Sequence, residues 1–197
     1  AGASLAGLEI GLEQGDETAI DLAIRRILLI HSLIFAFGGI PLLYMGDELG
    51  LINDPSYEAD PDLCADNRWL HRPFMDWEQV AKREDERGVN GRLFQGLRRL
   101  IQARQSMTAF HAEARRAPVW MHNDHIFGLI RQSPRGDILV LGNFSSDGQT
   151  IPKYRLQELG YSGPLLDRLN QRFFDGWFEL TLEPYQTMWL ERASSKQ

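Results

Sequence analysis

Ile20, Ala23, Ile24, Ile27, Leu28, Ile30, Leu33 and Ile34 recur at helical spacing, and the apolar stripe broadens until nearly every side is apolar. That spacing predicts a helix from about Asp16 to Phe37, packed on more than one side. Asp16 suits its N-cap, Glu17 its first turn, and Gly38-Gly39 its stop. The run Ile40-Pro41-Leu42-Leu43-Tyr44-Met45 follows without alternation, which predicts a strand buried on both faces of a parallel sheet. Pro41 sits at its start, where a missing N–H is tolerated. From Asn53 to Trp77 the pattern dissolves: Asp54, Glu58, Asp60, Asp62 and Asp66 alternate with Pro55, Pro61 and Pro73. A loop this long inside a domain is functional or disordered, and Trp69 and Trp77 argue against disorder. Helix returns at about Asp76 to Arg87 and from Val89 to Gln105, where Leu93, Phe94, Leu97, Leu100 and Ile101 form one stripe.

After Phe110 the period changes. Val119–Met121, His125–Arg131, Asp137–Phe144 and Thr187–Glu191 read as strands, separated by Asn123-Asp124, Pro134-Arg135-Gly136 and Asp147-Gly148 as turns. Residues 106–197 therefore predict a second, antiparallel β domain, with its boundary near Met107 to Arg116. A lone buried strand needs parallel neighbours on both sides, and the chain supplies none. The chain also opens Ala-Gly-Ala-Ser, with neither Met nor a leader pattern. The expectation is that residues 1–105 are the last part of a larger α/β domain. No membrane span is expected: Ile27–Ile40 is broken by His31 and Ser32 and falls short of the roughly 18 apolar residues a span needs.

Charge and composition narrow the partners. With 21 Lys+Arg against 27 Asp+Glu the net charge is −6, which argues against nucleic acid. Cys64, the single cysteine, rules out an internal disulfide and any cysteine-cluster metal site, and it is compatible with the cytoplasm. No cofactor is called for.

In an α/β barrel the reactive face lies at the C-terminal strand ends, which places Asp47, Glu48 and the loop through Arg72 there. Adjacent residues leaving a strand point in opposite directions, so Asp47 and Glu48 are expected to organise the loop rather than flank one bond. Arg68 is the sharper candidate, since a guanidinium can hold a carboxylate through two parallel hydrogen bonds. From the residues alone it reads equally as a ligand-pocket clamp or as a salt bridge to Asp62 or Asp66. His71 is expected to cap or to bond a carbonyl. His122 and His125 with Asp124 have metal-like spacing but read as a solvated turn. Trp120, Trp177 and Trp189 are either a sugar-stacking platform or, the expectation here, core. Cys64 has no basic neighbour in sequence and reads as unreactive.

Gly39-Ile40-Pro41-Leu42-Leu43-Tyr44-Met45-Gly46-Asp47-Glu48-Leu49-Gly50 resembles the eighth-strand motif of the α-amylase superfamily. Asn53-Asp54 and Asp66-Asn67-Arg68-Trp69-Leu70-His71-Arg72-Pro73 narrow the resemblance to amylosucrases and the related sucrose hydrolases. It continues through Gly142-Asn143-Phe144-Ser145 and Leu182 to Leu190. It implies the C-terminal portion of a (β/α)8 TIM barrel over residues 1–105, holding helix seven, strand eight, the long loop and helix eight. An antiparallel β-sandwich domain follows over 106–197. The implied chemistry is retaining cleavage of sucrose by an Asp nucleophile, a Glu acid/base and a further Asp, with transfer of glucose to an α-1,4-glucan or to water. All three carboxylates belong to earlier strands, so no catalytic residue is carried over. Arg68 matches the family arginine that pairs with an Asp at the base of the glucose pocket. Asp47, Glu48, Asp66 and His71 are expected to organise the barrel face. Sucrose, α-glucan and the remainder of the barrel are the implied partners. A different class of reading is a non-catalytic carbohydrate-binding or interaction module.

Overall fold

The computed structural model describes residues 2–193. The chain divides into two compact units, one holding the residues up to Leu28 together with Leu42–Arg98, the other Leu29–Pro41 and the residues from Arg99 onward.

In the first unit, α1 (Gly2–Leu5) and α2 (Leu8–Gln14) precede α3 (Glu17–Phe37). Neither α1 nor α2 was anticipated; each is too short for its apolar period to register. Asp16 caps α3 as expected, its Oδ1 accepting the N–H groups of Thr18 (2.9 Å) and Ala19 (3.1 Å). Leu8 is buried with Ile20, Ala23, Ile24, Ile27 and Leu93 in one cluster. Asp21 accepts from Arg25 (2.8 Å) and from Arg92, joining the first half of α3 to α5 (Val89–Gln105). Gly50 ends a 3-10 turn at φ 70, and a Cβ there would run into Leu93 and Leu8. The helix expected over 76–87 is shorter, α4 (Trp77–Ala81).

The strand expected at Ile40–Met45 does not form, and the described residues before Arg115 contain no strand at all. The α/β layer is thus absent from the described residues. The physical reason is pairing: a strand buried on two faces needs ladders on both edges, and this segment has no neighbour. Its apolar side chains are left outside, Ile40 at 97% and Leu42 at 82% exposure.

Among the described residues of the second unit, eight strands form two antiparallel sheets. They are β1 (Arg115–Trp120), β2 (Ile126–Gln132), β3 (Ile138–Asn143), β4 (Gln149–Ile151), β5 (Pro164–Asp167), β6 (Arg172–Asp175), β7 (Leu180–Leu182) and β8 (Thr187–Arg192). The larger sheet runs β1-β2-β3-β8-β5-β6, and β4 pairs with β7. Leu139, Leu141, Met188, Leu190 and Leu165 from the larger sheet share one core with Ile151, Leu180 and Leu182 from the smaller, and with Leu156 of α6 (Lys153–Glu158). The expected sandwich is therefore lopsided, six strands covered by two strands and a helix.

The larger sheet's other face meets residues 29–41. Alternation puts Trp189 there between Met188 and Leu190, fully buried, with its ring 4.5 Å from that of Phe110. Trp189 Nε1 donates to Ser32 Oγ (2.9 Å), Ser32 and Thr187 hydroxyls are bonded (2.7 Å), and Thr187 Oγ1 donates to the Leu141 carbonyl (3.0 Å). The end of α3 is held by arginines. Arg131, 1% exposed, donates to the carbonyls of Phe37, Ala109 and His111, each at 3.0 Å. Arg104 donates to Phe35 and Gly39 carbonyls.

Replacing Arg131 with Met keeps the length of the side chain and removes every donor. The expected cost is about 3 kcal/mol, because buried carbonyls lose their partners. The urea midpoint reads it. Arg116→Met, at the exposed rim of the same helix end, is expected to cost no more than about 0.5 kcal/mol.

Candidate functional site

The loop from Gly46 to Asp76 is built on repeated use of carboxylates as local acceptors. Asp54, Asp60, Asp66 and Asp76 each accept the backbone N–H two residues ahead, at 2.9, 2.8, 3.0 and 2.9 Å. This is the Asx geometry that lets a short acidic side chain stand in for a turn of backbone. It explains why a run read as merely acidic is ordered into successive 3-10 turns, Pro55–Ala59 and Asn67–His71, and then α4. The two ends of the loop are fastened together. Asp54 N–H donates to the Leu70 carbonyl (2.9 Å), and His71 Nδ1 is bonded to Asn53 Oδ1 (3.0 Å).

Asp47 and Glu48 turn back onto the chain before them. Asp47 Oδ2 accepts the Tyr44 N–H at 3.3 Å, and Glu48 Oε2 accepts the Gly46 N–H at 2.9 Å. Arg68 takes Asp66 rather than Asp62: Nε lies 2.8 and 3.0 Å from the two carboxylate oxygens and Nη2 2.6 Å from Oδ2. The Arg68 side chain is nonetheless 68% exposed. Its guanidinium holds the Asp66 carboxyl down to about 2, first through the side-chain hydrogen bonds and then through the Arg68 backbone N–H. Trp69 stacks on Phe74, ring centres 6.3 Å apart and planes 24° from parallel. Asn53 and Phe74 were not anticipated as partners. Asn53 lies 18 residues from the histidine it meets, and no periodic signal links positions across a turn-built loop.

Elsewhere the candidates separate. Trp189 is core, but Trp120 and Trp177 are exposed, so the core expectation fails for two of the three. Both sit where a side chain has little to cover it, Trp120 on edge strand β1 and Trp177 in the turn after edge strand β6. His122 adopts φ 57 in its turn and meets the Tyr154 ring at 5.7 Å. No group of three metal-capable side chains occurs among the described residues. Cys64 is exposed, its Sγ 3.7 Å from the Pro61 carbonyl. No described helix is long and apolar enough to cross a membrane.

Comparison with known proteins places the family match in the β domain. Residues 116–191 match the family described as the amylosucrase C-terminal domain. Glucosylglycerate phosphorylase from Escherichia coli (strain K12) is 26% identical over 168 residues, 84% of this chain and 28% of that enzyme. Among solved structures, AmyP with bound maltotriose superposes with a TM-score of 0.68 at 19% identity, over 89% of this chain and 36% of its own. Cyclic alpha-maltosyl-(1→6)-maltose hydrolase from Arthrobacter globiformis gives 0.60 at 24% identity, over 89% and 32%. The chain thus spans about a third or less of the length of these relatives. The resemblance to amylosucrase is carried by residues 116–191, which are similar to the amylosucrase C-terminal domain, and the relatives named here are a phosphorylase and glycan-binding or glycan-hydrolysing proteins of the same fold.

The Arg68–Asp66 pair sets a titration test. A folded-state value of about 2, against the ordinary 3.8, means the pair contributes above the ordinary value and is lost as pH falls through about 2. Carboxyl-carbon NMR of Asp66 is expected to titrate near the lower value. In Arg68→Ala the midpoint moves back up towards 3.8, and an unmoved midpoint would show the pair to be ineffective.

Proposed function

We propose that this chain serves as the C-terminal part of an amylosucrase-like retaining α-glucosyltransferase, with Arg68 at the base of the sucrose pocket. The observation that carries the reading is Arg68 itself. A guanidinium already held with its fork towards a carboxylate, yet mostly exposed, is a group prepared for a second acidic partner. Paired with an Asp from an earlier barrel strand, it would close the pocket around one terminal glucose. Asp66 orients the guanidinium, and His71 with Asn53 fixes the loop that carries both. Asp47 and Glu48 shape the turn before it.

The uncovered run from Ile40 to Met45 supports the same reading. Ile40, Leu42, Tyr44 and Met45 are all exposed and no charged residue interrupts them. Such a segment suits insertion between two neighbouring strands of a barrel. In the reaction implied by the resemblance, the glucosyl C1–oxygen bond of sucrose breaks and fructose leaves with a proton from the Glu acid. The glucosyl group rests on the Asp nucleophile, and an acceptor hydroxyl then displaces it while returning its proton to the Glu. Those carboxylates lie outside this sequence.

The acceptor separates the readings. An α-1,4-glucan makes the enzyme an amylosucrase and water makes it a sucrose hydrolase. The likeness to a phosphorylase favours a third acceptor, inorganic phosphate. Incubation of the enzyme containing this chain with sucrose and inorganic phosphate distinguishes polymer, free glucose and glucose 1-phosphate.

Two outcomes are expected. The 197-residue chain alone releases neither glucose nor fructose from sucrose, and robust release would overturn the assignment. In the enzyme containing the whole barrel, Arg68→Ala lowers sucrose turnover by at least about two orders of magnitude. That corresponds to about 3–5 kcal/mol for a pocket carboxylate left unpaired. Turnover matching the unsubstituted enzyme would remove Arg68 from the pocket.

A further inference from the structure

The second unit carries more arginine than its folding uses. Between positions 104 and 135 stand Arg104, Arg115, Arg116, Arg131 and Arg135, against Glu113 and Asp124, in a chain whose net charge is −6. Asp124 lies in the turn between β1 and β2, whereas Arg115 is in register with Gln132 at the open end of that hairpin. Arg104, Arg116 and Arg131 donate to carbonyls at the end of α3. They crowd one another there: burial first, then Arg104 and Arg116, push the Arg131 guanidinium below its ordinary value. Arg115 and Arg135 differ, since neither guanidinium has a hydrogen-bond or ion-pair partner among the described residues. Both line one cleft of about 660 Å³, together with Thr108, His111, Glu113 and Ser133. The cleft's walls are fixed from behind. Ser133 Oγ donates to the Gly136 carbonyl (2.8 Å) and lies 3.3 Å from Thr108 Oγ1, and the Ser133 N–H donates to Asp137 (3.2 Å). Arg131 holds the His111 carbonyl at 3.0 Å. A second cleft, about 580 Å³ and lined by Gly39 and Arg104, shares His111 and Glu113 with the first.

We propose that the cleft lined by Arg115 and Arg135 binds a hexose monophosphate. Two unpaired guanidinia in one concave site call for an anion, and a phosphoryl group has acceptor oxygens enough to receive two guanidinium forks at once. The lining itself answers them only with Glu113, which lies within ion-pair distance of neither. Volume and chemistry both favour a sugar carrying the phosphoryl group over bare phosphate. The cleft has the size of a small-molecule site, well beyond what one inorganic ion fills. A carboxylate such as Glu113 repels free phosphate but accepts hydrogen bonds from sugar hydroxyls, and the Gln132 amide, also in the lining, both donates and accepts. The site lies wholly in the second unit and uses none of the residues assigned to the sucrose pocket. The inference therefore goes beyond that reading and stands without it.

Calorimetric titration of the 197-residue chain with glucose 6-phosphate at fixed ionic strength tests the site. This probe is a product of none of the acceptor reactions above. Saturable binding is expected, with inorganic phosphate at least about tenfold weaker and glucose without effect. Arg115→Met and Arg135→Met are each expected to weaken binding at least about tenfold, the loss of one charge-assisted fork. Arg172→Met removes the same charge from edge strand β6 and is expected to leave binding unchanged. Both cleft arginines are exposed, so these variants are expected to fold, and near-UV circular dichroism checks it. A reading that needs no variant is the NMR of the arginine Nε–Hε groups, where Arg115 and Arg135 are expected to shift in step with the heat. Absence of saturable binding, unmoved Nε–Hε signals, or unchanged affinity in either cleft variant overturns the site. Equal affinity for inorganic phosphate or for glucose overturns the hexose monophosphate as its ligand. Equal weakening in Arg172→Met overturns it in favour of diffuse charge. Arg68 is intact in all these chains, so sucrose turnover, not this titration, decides the pocket.

Discussion

A buried guanidinium that spends its donors on three backbone carbonyls ties the end of α3 into the second unit. The last carbonyls of a helix have no partner within the helix, and at the end of α3 two glycines at positive φ carry the chain away at once. Arg131 meets that need from β2. One side chain collects the Phe37 carbonyl from α3 and those of Ala109 and His111 from the segment ahead of β1. The charge is tolerable because the carbonyl end of a helix is itself negative. It is strained by its own kind: burial, then Arg104 and Arg116, push the Arg131 guanidinium below its ordinary value. A carboxylate in this position would serve the arginine but not the three carbonyls. The choice of acceptor makes Arg131 a structural clamp on backbone carbonyls, where Arg68 is forked onto a carboxylate.

What the sequence made legible follows the same division. Long periodic segments were readable because many positions vote together. Helix α3 and its Asp16 cap, α5, and the strands around Ile126, Ile138 and Thr187 fall where the pattern puts them, within a residue or two at their ends. Short elements escaped, since α1, α2 and the β4–β7 pair each offer too few positions for a period to register. The strand at Ile40 was misread for a different reason. Its residues are those of a buried strand, but a strand is a relation between chains of backbone, and no described segment pairs with this one.

The same arithmetic of environment governs the aromatic residues. Trp189 and Trp120 are both strand tryptophans in the β domain. One is central, on β8 between β3 and β5, and is fully buried with its N–H satisfied by Ser32. The other ends an edge strand and lies open. Nothing in residue type separates them; sheet order does, and sheet order is not local information. In the acidic loop the reverse holds. Asp54, Asp60, Asp66 and Asp76 each bond an N–H two residues away, so their role is written in the adjacent sequence. A carboxylate read as a charge is there first a backbone acceptor.

The candidate site depends on how firmly Arg68 is committed to Asp66. The pair is close and forked, yet its guanidinium is largely in water, and exposed ion pairs between near neighbours contribute little to folding. Its effect is geometric: the Asx turn at Asp66 fixes the backbone of residue 68, and the two carboxylate oxygens then fix the direction of the guanidinium. A second carboxylate brought into a less solvated pocket would meet a donor already oriented. Exchange would proceed from one charged partner to another without stripping a bare cation of water. The side chain's entropy, which is the usual cost of using a long flexible cation, is already reduced by the local pair. An arginine two residues after an aspartate is therefore a reasonable way to present a guanidinium to a pocket assembled from distant parts of a chain.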